Sequence, residues 1–241
     1  MDILAIIPAR GGSKGFPKKN IASLAGYPLI YYSIKVAKES KLINRVIVST
    51  DDQKIAEISR KYGAEVPFIR PQIFAQELTP DFPVFSHALM WLIENEDYCP
   101  DIVVQLRPTS PLRKASVVDE AIELLIKNTK AHCVRAVVEP NENPYKMWKI
   151  NFDGFLTPLI KTEIKEAYNQ PRQVLPPTYW QTGYIDVIRT EIILNKGTLT
   201  GDLILPYILE NIPFNKIDID SKESLAIAEK LLTEENNNDS E

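Results

Sequence analysis

Short apolar runs and amphipathic stretches alternate along the chain. Ile3–Pro8 (ILAIIP), Arg45–Ser49 (RVIVS), Ile102–Leu106 (IVVQL) and Cys133–Val138 (CVRAVV) are too short for helices and read as buried strands. Val84, Phe85, Ala88, Leu89 and Leu92 recur at helical spacing, as do Val118, Ala121, Ile122 and Leu125. Thr50 with Gln53 reads as a capping box, opening a helix that closes near Tyr62-Gly63. Strands alternating with helices imply βαβ units, so the expected fold class is α/β with a largely parallel sheet.

The rhythm breaks between Glu139 and Pro177, which is rich in Pro, Asn and aromatic residues. This segment is expected to be an insertion on the sheet edge, carrying hairpin and helix pieces. Regular structure is expected again at Gly183–Ile188 and Phe214–Ile219, and Ser221–Leu232 reads as a closing helix. The organisation expected is one domain over 1–234, with the excursion at about 139–177 and a flexible acidic tail at 235–241.

Composition narrows the function. The 241 residues are 44% hydrophobic and 25% charged, enough for a real core. A net charge of −4 argues against a nucleic-acid surface, and no apolar run approaches the ~20 residues of a membrane span. The N-terminus lacks the basic region and cleavage site of a signal peptide. Two cysteines, Cys99 and Cys133, make no disulfide framework and no zinc site, so a cytoplasmic protein is expected.

Phosphate chemistry is concentrated in one place. Pro8-Ala9-Arg10-Gly11-Gly12-Ser13-Lys14-Gly15-Phe16-Pro17-Lys18-Lys19-Asn20 follows the first strand directly. Its three glycines allow tight turns and bare amides, and Arg10, Lys14, Lys18 and Lys19 crowd the same dozen residues of an acidic chain. Neither the Walker spacing nor the G-x-G-x-x-G fingerprint is present, because the glycines stand at 11, 12 and 15. The bland alternative is a basic surface loop.

IPARGGSKGFPKKN resembles the signature loop of the acylneuraminate cytidylyltransferases. Arg107-Pro108-Thr109-Ser110-Pro111-Leu112-Arg113 resembles their second motif, and Ile217-Asp218-Ile219-Asp220 before a helix their third. Three motifs in order cover nearly the whole chain. The related 3-deoxy-octulosonate enzymes carry a different first loop. The resemblance implies a three-layer, Rossmann-like nucleotidyltransferase domain with a small inserted dimerisation segment. It also implies transfer of CMP from CTP to an acidic nonulosonic sugar with release of pyrophosphate. A nucleotidyltransferase using another base, such as GTP, or another sugar, and a non-catalytic nucleotide-sugar module, are the competing readings.

Carried onto this chain, the resemblance assigns Arg10, Lys19 and Asn20 to the nucleotide, with Gly11, Gly12, Ser13 and Lys14 completing the phosphate loop. It places Arg70 at the base or ribose end of CTP and Asp81 near the nucleotide. Gln105, at the carboxyl end of a strand, matches a sugar-contacting position, and Arg107 reads as structural. Lys146 and Arg172 match two basic residues facing the acidic sugar or the phosphates of a bound partner. His87 reads as a packed or surface histidine and His132 carries no signal.

Asp218 and Asp220 stand one residue apart in an expected strand, which puts both carboxylates on one face, as a Mg²⁺ site requires. Arg10, Lys19, Asp218 and Asp220 are therefore the expected catalytic set, with Asp218 and Asp220 as metal ligands. Asp220 with Glu223 capping the last helix is the alternative. A homodimer is expected from the broken rhythm, from Tyr145, Trp148, Phe152 and Phe155, and from the resemblance. Where sialic acid enzymes read Asn-Gly-Ala-Ile-Tyr, this chain reads Thr182-Gly183-Tyr184-Ile185-Asp186. With Thr182, Gly183 and Asp186 as acceptor contacts, the departure points to a nonulosonic acid other than plain N-acetylneuraminate.

Overall fold

The computed structural model describes residues 1–13, 15–210 and 217–238, with side chains through residue 234. Its strands are β1 (Ile3–Pro8), β2 (Ser23–Leu24), β3 (Tyr27–Pro28), β4 (Arg45–Ser49) and β5 (Ile102–Gln105), then β6 (Cys133–Val138), β7 (Trp148–Ile150), β8 (Leu156–Pro158), β9 (Trp180–Arg189) and β10 (Ile204–Ile208). Its helices are α1 (Leu29–Glu39), α2 (Gln53–Lys61), α3 (Asp81–Glu96), α4 (Ala115–Lys127), α5 (Thr190–Lys196) and α6 (Lys222–Asn238). Six strands form the main sheet in the order β10-β6-β9-β5-β1-β4, parallel except for β9, which runs antiparallel to both neighbours.

Strand alternation divides the core. Ala5, Ile7, Val104, Val134 and Val187 pack on one face against Ile30, Ile34, Ile55, Val118 and Ile122 from α1, α2 and α4. Leu4, Ile6, Val103, Cys133 and Ile188 face the other way, against Val84, Phe85, Leu89 and Leu92 of α3 and Ile192 and Ile193 of α5. Three layers result, as expected. The two helical stripes read from the sequence, on α3 and α4, are the buried ones. A third, smaller cluster joins Phe16, Leu24, Leu29, Ile219 and Ala228, and so docks α6 against the loop that follows β1.

Two local expectations need correction. Asp52, and not Thr50, caps α2, its carboxylate accepting from the Ile55 amide at 2.9 Å. Thr50 Oγ1 instead accepts from the Asp52 amide, holding the cap in place. Ile217–Asp220 has no strand pairing, and the remainder of the expected strand, 214–216, lies outside the described residues. Parity nonetheless survives, because Ile219 is fully buried while Asp218 and Asp220 are exposed.

Within 139–177 the chain forms a hairpin, β7–β8, and 3-10 turns at Pro144–Lys146, Ala167–Asn169 and Arg172–Val174. Trp148, Ile150, Phe152, Phe155 and Leu156 of this segment are exposed. No helix among the described residues is long and apolar enough to cross a membrane.

Asp52→Ala is expected to remove the α2 cap and cost about 1 kcal/mol of stability. Urea unfolding should show the midpoint fall with an unchanged slope; an unmoved midpoint would mean that water caps the helix equally well.

Candidate active site

Strand order reverses around β1, whose neighbours β4 and β5 are reached in opposite directions, so a crevice opens beyond its carboxyl end. The Pro8–Asn20 loop leaves β1 at this crevice. The Ala9 amide donates to Ser49 O at 3.0 Å and the Gly11 amide to Asp51 Oδ1 at 2.9 Å, stitching the loop to β4 and the turn after it. Gly11 is required there, since a Cβ would sit 2.8 Å from Asp52 Cβ. Asn20 is buried and donates through Nδ2 to Arg10 O at 2.9 Å, closing the loop on itself.

The loop's far end is held by Phe16, buried in the third cluster beside Ile219. Ile219 also donates its amide to Thr109 O at 2.8 Å. One apolar side chain thereby fixes the Asp218–Asp220 segment against the first loop, and one amide fixes it to the second. Helix α6 takes its cap from Ser221, whose hydroxyl accepts from the Ser224 amide at 3.2 Å. The capping job proposed for Asp220 is thus done by its neighbour. The Asp220 carboxylate turns to Lys19 Nζ, 2.7 Å away.

A pocket of about 530 Å³ lies between these loops. Arg10, Ser13, Lys19, Asn20, Arg70 and Asp81 line it, together with Asp218 and Asp220. Arg10 Nη1 donates to Gln76 O at 2.9 Å, so the 74–79 segment forms a further wall. Arg70 is buried, yet its Nε and Nη2 have no hydrogen-bond partner and the nearest carboxylate, Asp51, is 3.9 Å off. Burial, with the charge of Arg10 nearby, pushes its pKa down. Unpaired buried guanidinium nitrogens at a pocket wall are costly, and an oxygen-rich ligand would satisfy them.

Arg107 also lines the pocket, which the sequence reading missed by treating it as structural. Its guanidinium pairs with Asp81, which also accepts from Gln105 Nε2 at 3.0 Å. The structural arginine of this motif is Arg113. It is buried and donates to the carbonyls of Arg107, Gly183 and Tyr184 and to Ser33 Oγ, and burial lowers its pKa to about 9. Gly183 permits close packing here: a Cβ would stand 3.2 Å from Ser110 Oγ and 3.6 Å from Arg107 Cδ.

The other sequence-derived residues lie off this pocket. Gly12 is exposed beside it and Lys14 lies outside the described residues. Gln105 forms floor beneath Asp81, with its Oε1 buried and unpartnered. Thr182 Oγ1 donates to Ala136 O at 3.3 Å, filling an irregularity where β6 meets β9. Asp186 is buried and paired with Arg135 at 2.8 Å. Lys146 sits on an exposed turn, and Arg172 donates to Glu139 and to Pro140 O, each at 2.8 Å.

Comparison with known proteins decides the family. Residues 4–176 match the family model described as Cytidylyltransferase. This chain belongs to that family. It is 33% identical over 232 residues to the CMP-N,N'-diacetyllegionaminic acid synthase of Legionella pneumophila, covering 96% of this chain and 97% of that protein. Against the N-acylneuraminate cytidylyltransferase of Escherichia coli it is 30% identical over 226 residues, 94% of this chain and 51% of the other. A solved CMP:2-keto-3-deoxy-manno-octonic acid synthetase complexed with CTP superposes with a TM-score of 0.72 at 15% identity, covering 98% of this chain and 100% of that one. The last likeness establishes the fold, and the first three findings make the chain a nucleotidyltransferase of the acylneuraminate cytidylyltransferase type.

Arg10→Ala and Lys19→Ala are each expected to lower kcat/KM for the nucleotide by roughly tenfold or more, the worth of one charge-assisted hydrogen bond. Thermal unfolding should be nearly unchanged, because neither side chain belongs to a core cluster. Unaltered kcat/KM in both variants would remove the phosphate loop from the site.

Proposed function

We propose that this cytidylyltransferase joins CMP, taken from CTP, to a nonulosonic acid other than plain N-acetylneuraminate, releasing pyrophosphate. The observation that carries the reading is the meeting of Arg10, Lys19, Arg70 and Arg107 with Asp218 and Asp220 in one pocket. Arg10 and Lys19 bind the phosphates, with Ser13 and the glycine-rich backbone supporting them. Arg70 takes the base or ribose end, where its bare nitrogens need acceptors. The acceptor's anomeric hydroxyl attacks the α-phosphorus in line. The protein's share is to orient the two substrates and neutralise charge on the phosphate oxygens.

The donor set suits Mg²⁺. Two pocket-lining carboxylates one residue apart, Asp220 in contact with Lys19 of the basic loop, match an ion that takes one or two carboxylates and completes its shell from substrate and water. Asp218 and Asp220 would hold it, and the ion would supply charge neutralisation on the triphosphate. Among the described residues no cluster of three or more His, Cys, Asp or Glu side chains offers a separate site. Asp218→Asn and Asp220→Asn are expected to lower kcat by about 10²-fold, equivalent to ~3 kcal/mol, with part of the loss recovered at high Mg²⁺. Near-normal rates in both variants at low Mg²⁺ would defeat the metal assignment.

The reading extends to a cytoplasmic homodimer. A single copy leaves Trp148, Ile150, Phe152, Phe155 and Leu156 exposed on one hairpin, an apolar surface suited to a second copy. Lys146 and Arg172, absent from the pocket of their own chain, would then serve the neighbour's. Sedimentation at micromolar concentration is expected to give about twice the 27.4 kDa chain mass. A fully active monomer would refute this part.

The deciding assay crosses CTP, GTP, UTP and ATP with a panel of nonulosonic acids and one neutral sugar phosphate, reading pyrophosphate. CTP with an acidic sugar should exceed every other combination, with a di-N-acylated acceptor ahead of N-acetylneuraminate. A wide preference for N-acetylneuraminate would return the acceptor to the ordinary sialic acid, and a preference for another base would overturn the reading.

A further inference from the structure

Two buried polar groups beside the nucleotide pocket lack partners, and the fold brings them together. Arg70 is 4% exposed, and its Nε and Nη2 have no hydrogen-bond partner among the described residues. His87 Nδ1 is buried and likewise unpartnered. Val66, Phe68 and Arg70 are buried whereas Ile69 is exposed, so Phe68 and Arg70 turn inward together. The His87 ring stands edge-on to Phe68, with centroids 4.8 Å apart, and tilted against Phe74 at 5.4 Å. Phe74 lines the nucleotide pocket, as do Asp81 and Val84 of α3, and His87 follows Val84 by about one turn of the same helix. His87 is thus wedged between the segment that carries Arg70 and the wall that faces the nucleotide.

Packing alone does not call for an imidazole here. A leucine would fill the space between Phe68 and Phe74 without leaving a polar atom buried and unpaired, which is costly. On the outer side of His87 a cavity of about 410 Å³ is bounded by Phe82, Met90 and Trp91, and Glu94 of α3 brings the one charge among its other lining residues. From the segment after α2 the charge that reaches His87 is that of Arg70, on which Asp51, Arg10 and Asp81 act in turn. The wall's carboxylate, Glu77, lines the nucleotide pocket instead. Burial first, and Arg70 second, hold the His87 pKa below the ordinary histidine value, so the ring is neutral at neutral pH. A neutral imidazole protonated at Nε2 presents Nδ1 as an acceptor, and a guanidinium has only donors to offer. The two unpaired groups are complementary.

We propose that His87 is a positioning residue for Arg70: when a nucleotide draws the guanidinium into place, one of its bare N–H groups donates to His87 Nδ1 and the other to the nucleotide. This inference rests on the nucleotide role given to Arg70 above. A planar guanidinium held at one nitrogen has its remaining donors fixed in direction, so the histidine sets the angle at which Arg70 meets its ligand. The contact needs a neutral ring. A proton on Nδ1 removes the acceptor and places a like charge beside Arg70, so the contact is present above the His87 pKa and lost as the pH falls through it. Nucleotide affinity follows the same course.

The test uses the full-length protein with CTP and Mg²⁺. His87→Asn keeps an acceptor oxygen close to the place of Nδ1 and cannot titrate, whereas His87→Leu keeps the bulk and offers no acceptor. At about pH 7.5, His87→Leu is expected to raise KM for CTP roughly tenfold with kcat within about twofold, because Arg70 serves the base or ribose end and not the reacting phosphorus. Its melting temperature should not fall, since an unpaired buried atom has been removed. At the same pH His87→Asn is expected to stay within about threefold of the parent. Toward about pH 5.5 the parent's KM should rise relative to that of His87→Asn by roughly threefold or more. Taking this ratio cancels the titration of the nucleotide's own terminal phosphate. An unchanged KM in His87→Leu, or an asparagine variant whose profile runs parallel to the parent's, shows that the ring only packs and overturns the proposal. Should His87→Leu fail to fold, the asparagine comparison decides alone. A parent protein that shows no CTP binding by calorimetry at any pH fails the proposed function instead, an outcome distinct from both.

Discussion

The site depends on the burial of Ile219. This side chain sits with Phe16, Leu24 and Leu29 in a cluster of its own, apart from both faces of the main sheet. Its amide is spent on Thr109 O. Between them, these contacts bring together three segments far apart in sequence: the loop after β1, the loop after β5 and the approach to α6. Fully burying one Ile contributes about 2–3 kcal/mol, more than an exposed ion pair such as Lys19–Asp220 supplies. Apolar packing therefore places the carboxylates, and the charges need only respond. Asp218 and Asp220 flank Ile219 and must point away from the cluster, toward the pocket.

Most of the pocket's charged side chains are held by partners within the chain. Lys19 rests on Asp220 and Arg107 on Asp81, and Arg10 holds a carbonyl of the 74–79 wall, whereas buried Arg70 keeps Nε and Nη2 without a hydrogen-bond partner. Such pairs near the surface are weak, so their cations exchange one anionic partner for another at small cost. The arrangement also explains how a chain of net charge −4 builds an anion site. The cations are local, and carboxylates of the same pocket, Asp220 and Asp81, balance two of them.

Much of this was legible in the residues. The four apolar runs became β1, β4, β5 and β6, and the stripes on α3 and α4 face the core, because period and burial are tightly coupled. Missed elements have weaker signatures. Helix α1 carries three consecutive aromatic or β-branched positions around Tyr31 and Tyr32, and β10 lies at the sheet edge with Ile204 and Ile208 exposed. Thr50 was taken for the α2 cap because Thr-x-x-Gln fits the pattern, yet Asp52 stands closer to the first turn and its carboxylate is the stronger acceptor. In the site, the nucleotide side follows from local motifs. Arg107 and Arg113 could not be told apart by sequence, since one guanidinium turns to Asp81 in the pocket and the other to carbonyls only after β9 packs beside them.

The acceptor side was harder to read for a physical reason. Phosphate recognition uses a contiguous loop, so its residues are neighbours in sequence. The floor beside it is assembled laterally across β5, β9 and β6, where Gln105, Arg135 and Asp186 meet only through strand register. Thr182 and Asp186 together suggested the departure from sialic acid enzymes, and an unpaired carboxylate at Asp186 would be costly inside the sheet. Arg135 resolves that conflict: it neutralises Asp186 and leaves the floor without net charge, polar rather than anionic. A neutral pair keeps the middle of the sheet free of net charge, so that no bare buried carboxylate stands beside the cations of the loops.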